Sequence, residues 1–146
     1  MDWIQEITKD ITLNQTLSKF LTEYGRYGLS HALQLYADMQ QEYICKTKEA
    51  VSKVKINEIN YLEINGHNIT VHTSHGIYQK YGSLSKEYKT LSPYGFIKCS
   101  QSTLVSLHKI RTIEQDTVIL TDNTHLHLSR NCAPKVVMEF SRKSNL

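Results

Sequence analysis

The sequence predicts a mostly β domain with one short helix, preceded by a short α-helical segment at the N-terminus. Three observations predict it. Apolar residues recur at helical spacing up to residue 42 and alternate after Tyr43. Turn signals then punctuate the chain at Asn65-Gly66, His75-Gly76, Ser92-Pro93-Tyr94-Gly95 and Asp122-Asn123, and many short strands separated by turns are the pattern of an all-β domain. Hydrophobic residues at 40% and charged residues at 21% supply a packed core for a chain of 146 residues.

Taken in order, residues 1–42 read as two or three short helices. Trp3, Ile4, Ile7 and Ile11 share one helical face, and so do Leu17, Phe20, Leu21 and Tyr24. Asn14 or Thr16 is placed to cap a second helix. Gly25-Arg26-Tyr27-Gly28 breaks the pattern, because glycine tolerates the positive φ that ends helices. Ser30 then caps a third helix with Ala32, Leu33, Leu35, Tyr36 and Met39 on its apolar side. Helices this short need a surface to cover their apolar faces: the β domain, a second copy, or another protein.

Residues 43–146 form the second expected domain. Ile44–Lys48 and Val51–Lys55 alternate as strands joined at Glu49-Ala50. Tyr61–Ile64 and Asn68–Thr73 flank Asn65-Gly66, a hairpin signal because both turn residues accept φ > 0. Ile77–Tyr81 follows the His75-Gly76 turn. Ser83 then caps one helix ending near Leu91. Phe96–Cys99, Thr103–Val105, Lys109–Ile113, Val118–Leu120 and His125–Leu128 are further strands, and Val136, Val137 and Phe140 suit a C-terminal helical turn.

The net charge of +3 is unevenly spread. Residues 1–42 carry six acids (Asp2, Glu6, Asp10, Glu23, Asp38, Glu42) against three bases (Lys9, Lys19, Arg26), whereas the rest carries fourteen bases against eight acids. The basic part is where a polyanion would bind, although a solvated basic surface has the same composition. No apolar run approaches the ~18 residues that span a bilayer, and the N-terminus lacks the basic and apolar regions of a signal peptide. A cytoplasmic location is expected. Cys45, Cys99 and Cys132 are widely spaced with no C-x-x-C unit, so free thiols are expected rather than disulfides or a zinc site.

Four segments resemble the LytTR family of bacterial DNA-binding domains. They are Ile56–Glu63, the strand and helix from Gly76 to Leu91, Phe96–Ser106, and Leu128-Ser129-Arg130. The third matches the family signature at Phe96, Ser102 and Val105, and the last matches its closing Ser-Arg. The resemblance spans roughly residues 43 to 141. It implies an elongated arrangement of small β-sheets that reads double-stranded DNA with loops entering successive major grooves.

By resemblance, His67, Gln101 and Arg130 are the base-contacting residues. Arginine can donate two hydrogen bonds to guanine and glutamine can pair with adenine. Lys98, Ser100, Ser102, Ser129 and Lys135 would flank them as phosphate contacts, which fix register without reading sequence. The segment departs from the family pattern at Lys98, Ser100, Gln101 and Ser106. Lysine keeps the charge of the usual arginine but loses its planar fork, so the preferred DNA sequence is this chain's own.

Each assignment has a plainer counterpart. Arg130 can be a surface ion-pair partner and His67 a solvated loop histidine, while Gln101 rests on the motif alone. His125 with His127, and His72 with His75, lack a third ligand at recognisable spacing, so no metal is expected. Cys99 reads as a small packed residue by alternation, or as an oxidant sensor if Lys98 lowers its pKa. No phosphate-binding glycine loop, catalytic triad or paired-carboxylate spacing points to an enzyme, and no cofactor is expected.

The function expected is that of a regulator reading paired DNA sites, with self-association on DNA. Its alternative is a protein-interaction module that kept the fold and lost DNA reading. A phospho-acceptor receiver domain needs on the order of 100 residues, so the 42 residues before the β region are expected to dimerise, dock, or receive a partner such as a membrane-bound inhibitor.

Overall fold

The computed structural model describes residues 11–143. Contacts divide the chain into a helical unit reaching Ala37 and a β unit beginning at Asp38. Helix α1 (Ile11–Met39) consists of two helical stretches that meet at a kink at Gly25, whose φ of 71° and ψ of −171° are not helical. The expected break at this glycine is present, but it is confined to Gly25 and does not extend to Gly28. One glycine absorbs the break and the helix resumes at once, so Arg26, Tyr27, Gly28 and Ser30 are all helical and Ser30 caps nothing. Asn14 and Thr16 also lie inside the helix, where the Thr16 hydroxyl donates back to the Thr12 carbonyl at 2.9 Å. The helical reading of Trp3, Ile4 and Ile7 lies outside the described residues. Within α1, Leu17, Phe20, Ala32 and Leu35 are half-buried, whereas Tyr24, Tyr27, Leu33 and Tyr36 are exposed.

The β unit is built of three antiparallel sheets. Strands β1 (Glu42–Lys46) and β2 (Val51–Lys55) form a hairpin. Its turn begins two residues earlier than alternation suggests, because Thr47 both donates to Ala50 O and accepts from the Glu49 and Ala50 amides. The central sheet contains β3 (Ile59–Asn65), β4 (Asn68–Thr73), β5 (Ile77–Tyr81), β6 (Phe96–Ser100) and β7 (Thr103–Ser106), in the order β5-β4-β3-β7-β6. The third sheet orders β10 (His125–His127), β9 (Thr117–Leu120) and β8 (Ile110–Glu114). Helix α2 (Leu84–Leu91) starts at Ser83, whose side chain accepts from the Lys86 amide. The expected C-terminal turn is a full helix, α3 (Ala133–Lys143), with Val136 fully buried.

Side-chain alternation puts the two faces of the central sheet into different cores. Leu62 pairs with Leu104 across β3 and β7, and both pack with Tyr43, Val54, Leu84 and Leu91 from β1, β2 and α2. Tyr61 pairs with Val105 one residue away, and this face packs with Ile97, Val118, Leu120 and Val136 from β6, β9 and α3. The central sheet is therefore sandwiched, with the β1–β2 hairpin and α2 on one side and the β8–β10 sheet and α3 on the other.

One polar cluster ties the first core together. Glu87 of α2 is almost fully buried, accepts from Lys80 of β5 at 2.7 Å, and accepts from the Tyr43 hydroxyl of β1. The Lys80 ammonium also lies 4.3 Å from the Tyr43 ring centroid. Burial and the Glu87 carboxylate hold the Tyr43 phenol far above its ordinary pKa, so it stays a donor.

Two stability measurements follow from this packing. Leu62→Ala, at the centre of the sandwich, is expected to cost about 2–5 kcal/mol in urea unfolding; a smaller loss than Ala substitution at half-buried Ile64 would contradict the double-faced core. Lys80→Met leaves Glu87 without its cation and is expected to cost about 3–5 kcal/mol. A neutral effect would show that Glu87 is not held charged by Lys80.

Candidate nucleic-acid interface

The segments carrying the expected base-contacting residues arise from turn chemistry at one end of the central sheet. In the β3–β4 hairpin Asn65 pairs with Asn68, so the two tip residues are Gly66 and His67. Sequence places the turn one residue earlier, at Asn65-Gly66. Only Gly66 of the tip has positive φ, at 66°, as in turns needing φ > 0 at their first central position, and Asn65 remains in the strand. His67 therefore stands at the exposed tip, and its carbonyl accepts from Gly82 N at 3.0 Å.

The second tip joins β6 to β7. Ser100 pairs with Thr103, leaving Gln101 and Ser102 as the connection, both exposed. The Ser100 hydroxyl accepts from Ser102 N at 3.3 Å, which shapes the tip. Because Glu63 of β3 pairs with Thr103 of β7, both tips lie at the same end of the sheet, and Ile64 N donates to Ser102 O at 2.9 Å. The tips are two strand spacings apart, about 10 Å.

The third segment follows β10. Leu128 is buried, and Ser129 N donates to Cys99 O at 2.9 Å, which pins this turn beside β6. The Ser129 hydroxyl accepts from Cys132 N at 3.2 Å and so caps the turn that opens α3. Arg130 is exposed on this turn and makes no ion pair among the described residues. His67, Gln101 and Arg130, 63 residues apart at their extremes in sequence, thus form a row along one end of the β unit.

The flanking residues divide into two groups. Ser100 and Ser102 belong to the second tip. Lys98 and Lys135 line a cleft of about 200 Å³ with Tyr88, Ile97, Asn131 and Cys132. There the Lys135 ammonium donates to the Tyr88 hydroxyl at 3.0 Å, bridging α3 to α2 around the β6 edge. That hydrogen bond raises the Lys135 pKa and keeps the group charged. Tyr88 and Asn131 escaped the sequence reading, since nothing in the spacing of α2 marks Tyr88 as a neighbour of residues 129–135.

Cys99 sits at an irregularity in the β6–β7 register, between Lys98 and Ser100. It is fully buried, and burial pushes its thiol up to about 12, opposite to the lowered pKa that oxidant sensing needs. The histidines are also accounted for in part. His72 stacks on Tyr61 with centroids 4.1 Å apart and contacts Glu63 at 2.8 Å, and His75 lies 3.5 Å from Glu58. Among the described residues no three His, Cys, Asp or Glu side chains converge as a metal site, and no helix is long and apolar enough to cross a membrane.

The family model of the LytTr DNA-binding domain matches residues 49–140. The chain belongs to the LytTR family. A solved LytTr DNA-binding domain from Bacillus cereus matches with a TM-score of 0.59 at 21% identity, over 67% of this chain and 94% of that one. At that identity the likeness shows a shared fold. No curated protein matches the chain by sequence. The LytTR domain thus includes all three tip segments and the Lys98–Lys135 cleft.

Thiol labelling checks the burial at this end of the domain. At pH 7.5 iodoacetamide is expected to modify half-exposed Cys132 and to leave Cys45 and Cys99 intact, because burial pushes their thiols up to about 11 and about 12. Labelling of all three at equal rates in the folded protein would contradict the packing of β1 and β6.

Proposed function

We propose that this LytTR protein is a sequence-specific transcription regulator that reads major-groove base edges of double-stranded DNA through its loops. The observation carrying the reading is the row of exposed His67, Gln101 and Arg130 on turns at one end of the β unit. Arg130 has no competing carboxylate among the described residues, so its fork is available to guanine O6 and N7. Gln101 would pair with adenine, and His67 would donate to a base acceptor or a phosphate. Lys98, Ser100, Ser102, Ser129 and Lys135 flank the row as phosphate contacts. The Ser129 oxygen already serves as a cap, so its remaining contribution is its hydroxyl proton.

Three side chains contact few bases. Two copies on repeated half-sites raise affinity through effective concentration, and self-association on DNA follows from that need. The residues of α1 are the region left for dimerisation or for a protein partner. The chemistry is that of binding, with no reaction and no cofactor, in the cytoplasm where the DNA is.

The test is enrichment of a randomised duplex library on the full chain, followed by fluorescence anisotropy on the enriched duplex. Repeated half-sites are expected, with centres separated by one helical turn or a multiple of it, about 10 bp per turn. Arg130→Ala should cost about 1–3 kcal/mol on that duplex and relax the preference at one position. Lys98→Ala should weaken all sequences alike and flatten the salt dependence. Failure to enrich any sequence would sink the regulator reading. It would favour an interaction module that retained the fold, the reading that the departures at Lys98, Ser100 and Gln101 motivate.

A further inference from the structure

We propose that Tyr88 and Asn131 complete, with Lys98 and Lys135, a seat for one DNA backbone phosphate beside the Arg130 turn. The proposal rests on the DNA-binding function above and adds to it two residues, one of them on helix α2, which otherwise has no part in the interface.

The cleft lies at the free edge of β6, where α2 and α3 approach each other around the end of the strand order. Lys98 enters it from β6, Asn131 from the turn that carries Arg130, Lys135 from the first turn of α3, and Tyr88 from α2. All of these groups can donate hydrogen bonds. Lys135 donates to the Tyr88 oxygen at 3.0 Å and lies 5.6 Å from its ring centroid. A phenol that accepts from an ammonium turns its own proton away from that ammonium, and among the described residues the Tyr88 proton has no acceptor. Tyr88 is therefore left as a donor next to a fixed positive charge. Lys135 is held in place by the same bond, which removes part of the rotamer entropy a free lysine would lose on binding.

Two ammonium groups, an amide and a phenol suit the two unesterified oxygens of a phosphodiester, which accept several charge-assisted bonds at once. Glu139 lines the adjoining part of the cleft and pairs with Arg142 at 3.3 Å. DNA, and not a free anion, is the occupant the layout favours. Asn131 follows Arg130 directly in sequence, so a duplex that brings a base edge to Arg130 also brings its backbone to the cleft.

Tyr88 both offers its proton to the phosphate and holds Lys135 in place, and salt dependence separates these roles from a structural one. Anisotropy is measured on full-length protein at a series of salt concentrations, on the enriched duplex and on a scrambled one, with melting temperature as the folding control. Lys135→Gln is expected to lower affinity for both duplexes by about 10-fold and to reduce the slope of log K against log salt by about one. Tyr88→Phe, which keeps the ring in its packing, is expected to lower affinity for both by about 3- to 10-fold without changing sequence preference or melting temperature. With Lys135→Gln already present, Tyr88→Phe should add much less than it does alone.

Wild-type slopes and affinities in both single variants, with Arg130→Ala still relaxing the preference at one position, would overturn the seat and leave the regulator standing. Absence of salt-dependent binding to either duplex by the wild-type protein would overturn both. Displacement of DNA by inorganic phosphate at matched ionic strength, lost in Lys135→Gln, would assign the cleft to a free anion and overturn the DNA seat.

Discussion

Leu62 faces Leu104 and Tyr61 faces Val105, and this register between β3 and β7 is the constraint on which the rest of the β unit depends. Because side chains alternate, a slip of one residue would exchange the contents of the two cores. The first core needs Leu62 and Leu104 under the β1–β2 hairpin and α2, and the second needs Val105 and Ile97 against β9 and α3. Both faces are occupied, so neither can accept the other's side chains without exposing apolar area or burying Glu63 and Thr103.

The same register sets the geometry of the proposed interface. Pairing Glu63 with Thr103 brings the β3–β4 and β6–β7 tips to one end of the sheet. The Ile64 to Ser102 backbone bond extends that pairing into the second tip. The Ser129 to Cys99 bond then sets the Arg130 turn beside β6. Tips with little conformational freedom bind at lower entropic cost than free loops. In this domain that rigidity comes from backbone pairing on a doubly buried sheet. The three segments hold no recognition helix, and their side chains reach outward from turns.

Polar side chains meet where layers are joined. Glu87, Lys80 and Tyr43 link α2, β5 and β1 inside the first core, and Lys135 with Tyr88 links α3 to α2 at the β6 edge. The first cluster is shielded from solvent and fixes how the hairpin and helix sit on the sheet. The second is open to solvent, where the Tyr88 hydroxyl can exchange water for a ligand.

The sequence by itself determined the class of the domain, nearly all of its strands, the Ser83-capped helix and the family, because alternation, turn residues and the order of short motifs are local properties. It placed the break in α1 at Gly25 but not its extent, since whether a helix resumes after one left-handed residue depends on packing that propensity does not record. It placed the β3–β4 turn one residue early because Asn65 and Gly66 both tolerate positive φ, and only the pairing of Asn65 with Asn68 decides which is used. The full length of the C-terminal helix was not legible, because the buried Val136 that anchors it finds its partners in distant strands. Tertiary structure alone decided that residues 67, 101 and 130 share one end of the β unit, and that Tyr88 meets Lys135. Those neighbours lie many residues apart, and strand order and register, not local preference, bring them together.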